Sequence, residues 1–306
     1  MLYPIATLTE IKLWLKETGT ANDTILGALQ EAVTNICEEI MGQYGMVRSV
    51  TEYHDGKGDN HILSNMFPIY SISELNDDPD HEWSSSTEIE STNYMFNANT
   101  GEIYLINDYS NYLSGKNSVK LTYRPGLSRF IVLSNVNNKI DFDEGAGEVT
   151  AEVTAGTYDA EDLASAIATA MNLAGLLSYT CAYDHETQKF TITASSSITP
   201  GFLWLTGTNK LDSIALVANF AQTADITGTT TTSGEVTGIP SDISAAAQMI
   251  VMALYSMSKQ GGSLQMIKSK PLAVGGSSSP GTIEYYGDKF PEIALLILKK
   301  YARIGF

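Results

Sequence analysis

The sequence predicts an α+β protein: a small helical core with appended antiparallel β hairpins, interrupted by an inserted α+β domain built as β hairpin, helix, β hairpin. Three observations point there. Apolar residues at Ile25, Leu26, Leu29, Ala32, Val33, Ile36, Cys37, Ile40 and Met41, and far downstream at Ile243, Ala246, Ala247, Ile250, Leu254 and Met257, recur at the spacing of helices with one buried face. Between these stripes, short alternating runs bounded by Gly, Asn and Asp read as strands and turns. From about residue 128 to residue 237 the composition shifts toward Thr, Ala, Ser and Gly with few basic residues. The two helical stripes are expected to pack together, Leu29, Val33 and Ile36 against Ile250 and Leu254. The chain then divides into 1–127, the first part of the core; 128–237, the insert; and 238–306, which returns to complete the core and ends in a helix and tail.

Each element has a local reason. Thr7-Leu8-Thr9-Glu10 is a capping box, in which the Thr7 and Glu10 side chains satisfy each other's backbone N–H groups. A short helix should follow to about Glu17, with Leu8, Ile11 and Leu15 inward and Gly19 as its stop. Asn22 or Asp23 can cap the first long helix, Glu31, Glu38 and Glu39 take its wet side, and Gly42 and Gly45 end it. Residues 47–53 and 61–63 flank Asp55-Gly56-Lys57-Gly58-Asp59, which reads as a hairpin loop. Residues 68–72 form a third strand, Asn97-Ala98-Asn99-Thr100-Gly101 turns between 94–96 and 102–106, and 118–123 alternates as another strand.

Arg124-Pro125-Gly126 breaks this pattern. In the insert, 139–142 and 149–153 form a hairpin around Glu144-Gly145-Ala146-Gly147, and Gly156-Thr157-Tyr158-Asp159 turns into a helix with Leu163, Ala166, Ile167, Ala170 and Met171 inward. A second hairpin alternates through Tyr179, Cys181 and Tyr183, then back through Phe190 and Ile192. Residues 202–205 are a further strand, Asn209 caps a short helix through Leu211, Ile214 and Leu216, and 227–233 is a low-complexity return strand or linker. Pro240 and Ser241 open the second long helix, residues 275–281 read as a flexible arm, and Pro291 starts a last helix with Ile293, Leu296, Ile297 and Leu298.

At 306 residues the chain exceeds one typical domain, and 43% hydrophobic content with a mean hydropathy of −0.05 describes an ordinary globular protein. No apolar run approaches the length that spans a bilayer, and residues 1–9 lack the basic and apolar regions of a signal peptide, so assembly in a cytoplasm is expected. A net charge of −17 and a pI near 4.5 argue against gripping nucleic acid through its phosphates. The same charge suits a wall along which DNA slides, or serves solubility alone. Cys37 and Cys181 fit small buried hydrophobes better than a disulfide or a metal site.

Signatures of catalysis are thin. There is no phosphate-binding Gly loop with Lys and Ser or Thr, no paired-His zinc spacing and no Gly-x-Ser-x-Gly elbow. Asp77, Asp78 and Asp80, or Asp141, Asp143, Glu144 and Glu148, offer hard oxygens without the spacing of a calcium loop and read as solvated acidic turns. His54, His61 and His185 read as turn residues. No catalytic residue, cofactor or metal ligand is assigned.

With the middle segment set aside, the chain presents a fixed order of short motifs. They are Thr7-Leu8-Thr9-Glu10, the long helix, Thr51-Glu52-Tyr53-His54-Asp55-Gly56-Lys57-Gly58, Pro68-Ile69-Tyr70-Ser71-Ile72-Ser73, Gly101-Glu102-Ile103-Tyr104-Leu105, Val119-Lys120-Leu121-Thr122-Tyr123-Arg124-Pro125-Gly126 and Ile239-Pro240-Ser241-Asp242-Ile243. In that order they resemble the head-tail connector (adaptor) proteins of tailed double-stranded DNA bacteriophages, over a little under two thirds of the chain. The insert stands where that family has only a short loop. Its Gly-Thr-Tyr, Leu-Ala-Ser-Ala-Ile and Tyr-Asp-His-Glu-Thr-Gln-Lys-Phe-Thr-Ile pattern is similar to a module of other viral structural proteins, which implies interaction and not chemistry.

What the resemblance implies is a structural protein and not an enzyme. It would form a dodecameric homo-oligomer ring in the virion neck, assembled in the host cytoplasm, with no membrane partner. The ring would sit under the portal protein, extend the DNA channel without specific binding, and receive the tail or a stopper/nozzle protein, serving genome packaging and DNA ejection. The residues expected to dock on the portal are Lys299, Lys300, Tyr301, Arg303, Ile304 and Phe306, which gather basic and apolar groups at one end of an acidic chain. The plainer alternative is a terminal helix packing on its own core. The rival function from another class is a virion adhesin whose middle domain recognises a host receptor or glycan.

Overall fold

The computed structural model describes residues 3–107, 109–195, 198–259 and 290–302. In chain order its elements are α1 (Leu8–Leu15), α2 (Asp23–Met41), β1 (Val50–Gly56), β2 (His61–Leu63), β3 (Ile69–Asp77), β4 (Tyr94–Phe96), β5 (Glu102–Leu105), β6 (Gly115–Pro125), β7 (Phe130–Val132), β8 (Lys139–Asp143), β9 (Glu148–Glu152), β10 (Gly156–Tyr158), α3 (Ala160–Ala174), β11 (Ser178–Asp184), β12 (Lys189–Ser195), β13 (Gly201–Phe202), α4 (Ala215–Ala218), β14 (Ile226–Thr227), β15 (Thr230–Thr232), α5 (Ser241–Lys259) and α6 (Glu292–Lys300). The architecture is α+β, with several small antiparallel sheets. It forms two compact units, Met1–Met41 with Pro240–Phe306, and Gly42–Ile239. The sequence boundaries at 127/128 and 237/238 fall inside the second unit. Among the described residues, no helix is long and apolar enough to cross a membrane.

In the first unit, α2 packs on α5 and α6, and α1 on α2 and α5. The capping box forms: Thr7 Oγ1 accepts the Glu10 N–H at 3.0 Å and Glu10 Oε2 accepts the Thr7 N–H at 2.9 Å. The helix stops earlier than expected, because Lys16 takes a left-handed conformation (φ 55°) and closes it at Leu15. Only Ile11 of its apolar residues is buried; Leu8 and Leu15 are half-buried.

On α2 the buried stripe is rotated from the one read in the sequence. Leu26, Val33, Cys37 and Met41 are buried, but so are Gln30 and Thr34, whereas Ile25 is 53% exposed and Leu29, Ile36 and Ile40 are half-buried. The cause is the segment before α1. Gln30 Nε2 donates to the Ala6 carbonyl at 2.7 Å, and the Ile5 N–H donates to Thr34 Oγ1 at 3.2 Å. Polar side chains are tolerated there because they satisfy backbone groups that water does not reach. On α5, Ile243, Ala246, Ala247, Ile250 and Val251 are buried and Leu254 is half-buried. Tyr255 Oη donates to Glu17 Oε1 at 2.8 Å and Ser244 Oγ to Glu10 Oε2 at 3.2 Å, so α1 and the turn that follows it are tied to α5 by polar contacts. The Met257 side chain and residues 275–281 lie outside the described residues.

In the second unit, the described strands pair as β1-β6-β3, β2-β5-β4, β10-β7, β14-β13-β8-β9 and β11-β12-β15. The hairpin expected between 47–53 and 61–63 does not form: β1 pairs with β6, and β2 with β5. The three-residue β2 offers a short ladder, whereas β6 matches β1 from Val50↔Tyr123 to Gly56↔Gly115 and buries Val119, Leu121 and Tyr123 on the way. The longer ladder with a buried face wins. The β4 to β5 hairpin forms as read, with the Asn97 N–H donating to the Glu102 carbonyl and Gly101 at φ 76° making the turn. Ile69, Leu75, Ile103 and Leu105 complete the core under these strands.

Within 128–237 the hairpins β8 to β9 and β11 to β12 form on either side of α3. Asp159 caps α3 by accepting the Asp162 N–H at 2.9 Å, and Leu163, Ile167, Ala170 and Met171 are buried. Two expectations are corrected and one open reading is decided. Of the expected 202–205 strand only Phe202 enters a sheet, in the two-residue β13. Asn209 does not cap a helix; its backbone N–H and side-chain amide both donate to Asp141, at 2.6 and 3.0 Å. Of the two readings of 227–233, the return strand holds and the linker does not: β15 (Thr230–Thr232) pairs with β12, Thr227 pairs with Gly201, and buried Thr231 accepts the Trp204 Nε1–H. The buried Trp204 stacks on Phe220 with ring centroids 4.6 Å apart. The segment's ends lie side by side: the Arg129 N–H donates to the Gly238 carbonyl at 2.7 Å.

Candidate functional site

The sequence-predicted docking residues sit on and after α6. This helix buries Ala294 and Leu298 and leaves Ile293 (62%) and Leu296 (67%) exposed beside Lys299 and Lys300. Ile293, Leu296 and Lys300 follow the i, i+3, i+7 spacing of one helical face. Tyr301 and Lys300 both meet α5: the Tyr301 hydroxyl donates to the Asp242 carboxylate at 2.9 Å, and Lys300 Nζ lies 3.3 Å from the same group. Burial alone would push the Asp242 carboxyl up, but the Tyr301 hydroxyl and Lys300 outweigh it and hold it below the usual range. Tyr301 is therefore a tether between α6 and the first turn of α5. Arg303, Ile304 and Phe306 lie outside the described residues. Of the core-packing residues, Val33 and Ile250 are buried, and Leu29, Ile36 and Leu254 are half-buried.

A second cluster was not anticipated. Arg124, at the end of β6, faces Asp159, Glu161 Oε2 at 2.8 Å and Asp162 Oδ1 at 3.3 Å, all at the start of α3. Asp159 is 1% exposed. Burial pushes its carboxyl up, and the Asp162 N–H and Arg124 offset only part of that, so it stays above the ordinary value. Arg129 lies over the Tyr70 ring at 5.0 Å, and Glu161 also meets His185 Nε2 at 3.2 Å. A groove of about 400 Å³ opens alongside, lined by Tyr70, Thr157, Tyr158, Asp162, Ser165 and Thr169 among others. The available signal was Tyr158-Asp159-Ala160-Glu161-Asp162, an acid-rich helix start that attracts a cation.

A third feature follows from the divergence of β1 and β2. Between them lies a cleft of about 490 Å³, lined by Tyr53, His54, Asp55, Lys57, Asp59, His61, Asn65 and Asn117 among others. Nearby, Glu52 accepts the Tyr123 hydroxyl at 2.5 Å, the Asn65 N–H at 2.9 Å and a bond from His54 Nε2 at 3.1 Å. Burial pushes the Glu52 carboxyl up, but these donors outweigh it and hold it low. At the rim, half-exposed Tyr53 meets Trp83 with ring centroids 5.5 Å apart, and His81 stacks on Trp83 at 5.5 Å and 7°.

His81 and Trp83 both adopt left-handed backbone (φ 61° and 50°). Such positions cost about 1–3 kcal/mol each for non-glycine residues, and the surrounding contacts must hold them. Asp78 does so by accepting the N–H groups of Asp80, Glu82 and Trp83 at 3.0, 2.8 and 2.8 Å, and His81 Nε2 donates to the Lys116 carbonyl at 3.0 Å.

The acidic turns are less solvated than the sequence suggests. Asp78 and Asp141 are 3% and 6% exposed. Their lone pairs, with those of their neighbours, accept backbone donors: Asp143 from Gly145 and Gly147, Glu144 from Leu176 and Leu177, and Glu148 from Thr208. Among the described residues, no three His, Cys, Asp or Glu are grouped so as to hold a metal ion. Burial, helped at Cys37 by Glu38, pushes both cysteine thiols up to about 12, which suits packing and not reactivity. No protein-family model matches the chain, and no curated protein matches it.

Proposed function

We propose that the chain is a structural head-tail connector of a phage virion, a ring-forming protein placed under the portal that extends the DNA channel and receives the tail. The observation that carries this reading is the discontinuous helical unit. Residues 1–41 and 240–306 close on each other, and 42–239 is an excursion from between them. The order of motifs that resembles the connector family runs through both units.

The outward face of α6 supports the reading. Ile293 and Leu296 would each gain about 1.5–3 kcal/mol on full burial in a partner groove. Lys299 and Lys300 would steer that face toward acidic surface, and repetition around a ring would turn weak single contacts into a durable joint. On this reading Ile293 and Leu296 join Lys299 and Lys300 in docking; Lys300, though paired with Asp242, is 67% exposed, whereas Tyr301 contributes by fixing α6 to the same carboxylate.

Electron microscopy of the purified protein, alone and mixed with the portal protein, tests the proposal. Rings with an axial channel that stack on the portal are expected, and Ile293→Glu with Leu296→Glu should leave a folded protein that no longer stacks. A monomer or trimer that binds host cells and never forms rings would overturn it in favour of an adhesin.

A further inference from the structure

We propose that the cleft between β1 and β2 binds a neutral saccharide, seated against the aromatic rim of Tyr53 and Trp83. This inference does not rest on the connector reading, and saccharide binding and ring formation are scored separately.

The cleft has the volume of a small-ligand site, about 490 Å³, but its lining differs from that of a site for an apolar molecule. Lys57, Asp59, His61, Asn65 and Asn117 bring side-chain donors and acceptors to its walls. A pyranose ring matches that mixture. Its hydroxyls donate and accept around the edge, while one face of C–H groups packs on an aromatic ring. Tyr53 both lines the cleft and is 50% exposed, and Trp83 extends the aromatic surface beside it.

The aromatic surface is built and not incidental. Trp83 is held in a left-handed conformation by Asp78, and His81, likewise left-handed, stacks on its ring while bonding Lys116 beside Asn117. Tyr53, His81 and Trp83 are not members of the buried core of these strands, which includes Val119, Leu121 and Tyr123. A ring fixed before the ligand arrives loses little rotamer freedom on binding, which favours a weakly held hydroxylic ligand. Nucleobases also stack on aromatics, but a polyanion is opposed by Asp55 and Asp59 in the cleft and by the net charge of −17.

The full-length protein should be screened against an array of neutral hexose and N-acetylhexosamine oligosaccharides, then titrated with maltotriose and chitotriose by calorimetry and tryptophan fluorescence. At least one saccharide is expected to bind. Tyr53→Ala and Trp83→Ala should weaken it about tenfold or more, with Trp83→Phe retaining much of the affinity. Since Trp83→Ala can relax its own loop, Asp59→Ala in the lining of the cleft provides a second variant, expected to weaken binding with an unchanged melting temperature. Failure of every neutral saccharide to bind overturns the proposal. So does binding that survives Tyr53→Ala and Asp59→Ala together, or a cleft that takes a single-stranded oligonucleotide or an extended peptide in place of saccharides.

Discussion

Arg124 and Asp159 show how much one pair can decide. Asp159 is 1% exposed and Arg124 17%, so truncating the arginine strands a carboxylate away from water. Arg124→Met should destabilise the Gly42–Ile239 unit by about 3–5 kcal/mol in chemical denaturation, whereas Glu161→Gln should cost under about 1 kcal/mol, because Glu161 is 58% exposed. The acidic turns make a second prediction. In Asp78, Glu144 and Asp225 burial pushes the carboxyl up but backbone and hydroxyl donors outweigh it; in Asp184 the Glu186 N–H leads in lowering it. A folded-state pKa below the unfolded value of about 4 gives stability that is present above pH 4 and lost as pH falls through the folded value. Asp77 and Asp159, raised by burial, run the other way and are relieved on acidification. The lowered set is the larger, so stability should fall below about pH 4. Thermal melts from pH 6 to pH 3 should show that fall, and it should flatten in Asp78→Asn and Glu144→Gln.

Among the elements, α2 and α5 carry the clearest contrast. The sequence treats Leu29 and Ile250 as equivalent members of two facing stripes, yet Ile250 is fully buried and Leu29 only half-buried. Ile250→Asp should cost on the order of 4 kcal/mol or more, and Leu29→Asp about 1–2 kcal/mol, read as denaturation midpoints of the two variants. Equal losses would mean that Leu29 is covered by another subunit. The rotation of the α2 stripe was hidden because Gln30 and Thr34 are polar by composition and buried only through Ala6 and Ile5, residues of another segment. The β1 and β2 strands were located well, but their pairing was misread, since a Gly-rich turn between two short runs looks alike whether or not the runs meet.

For the whole molecule, modularity is the testable property. Residues 128–237 begin and end at neighbouring points, joined by the Arg129 N–H and the Gly238 carbonyl, so a short Gly-Ser linker can replace them without stretching the chain. That deletion should leave a protein that still unfolds cooperatively in calorimetry, with Arg124 released from its three carboxylates. Loss of the cooperative transition would show that the sheet β1-β6-β3 needs the insert to stay folded. The placement of 42–127 in one compact unit with the insert makes this a demanding test, because Ser128 Oγ also accepts the Val47 N–H at 2.9 Å.

By itself the sequence determined the features that close over a few residues. These are the Thr7 and Glu10 capping box, the Asn97 to Gly101 hairpin, the entry through Gly156 to Asp159 into α3 and the flanking hairpins β8 to β9 and β11 to β12. Their partners lie within one turn or one short loop, so local chemistry and low closure entropy suffice. Tertiary structure alone decided which strands β1 and β2 join, which face of α2 is buried, and that Arg124 meets Asp159. In each case the partners are far apart in the chain, and the outcome is set by which ladder or buried face gains most once the chain has collapsed. The cleft and its rim are of this second kind. Tyr53, Trp83 and His81 were visible as residues, but two diverging strands and a strained loop made them neighbours.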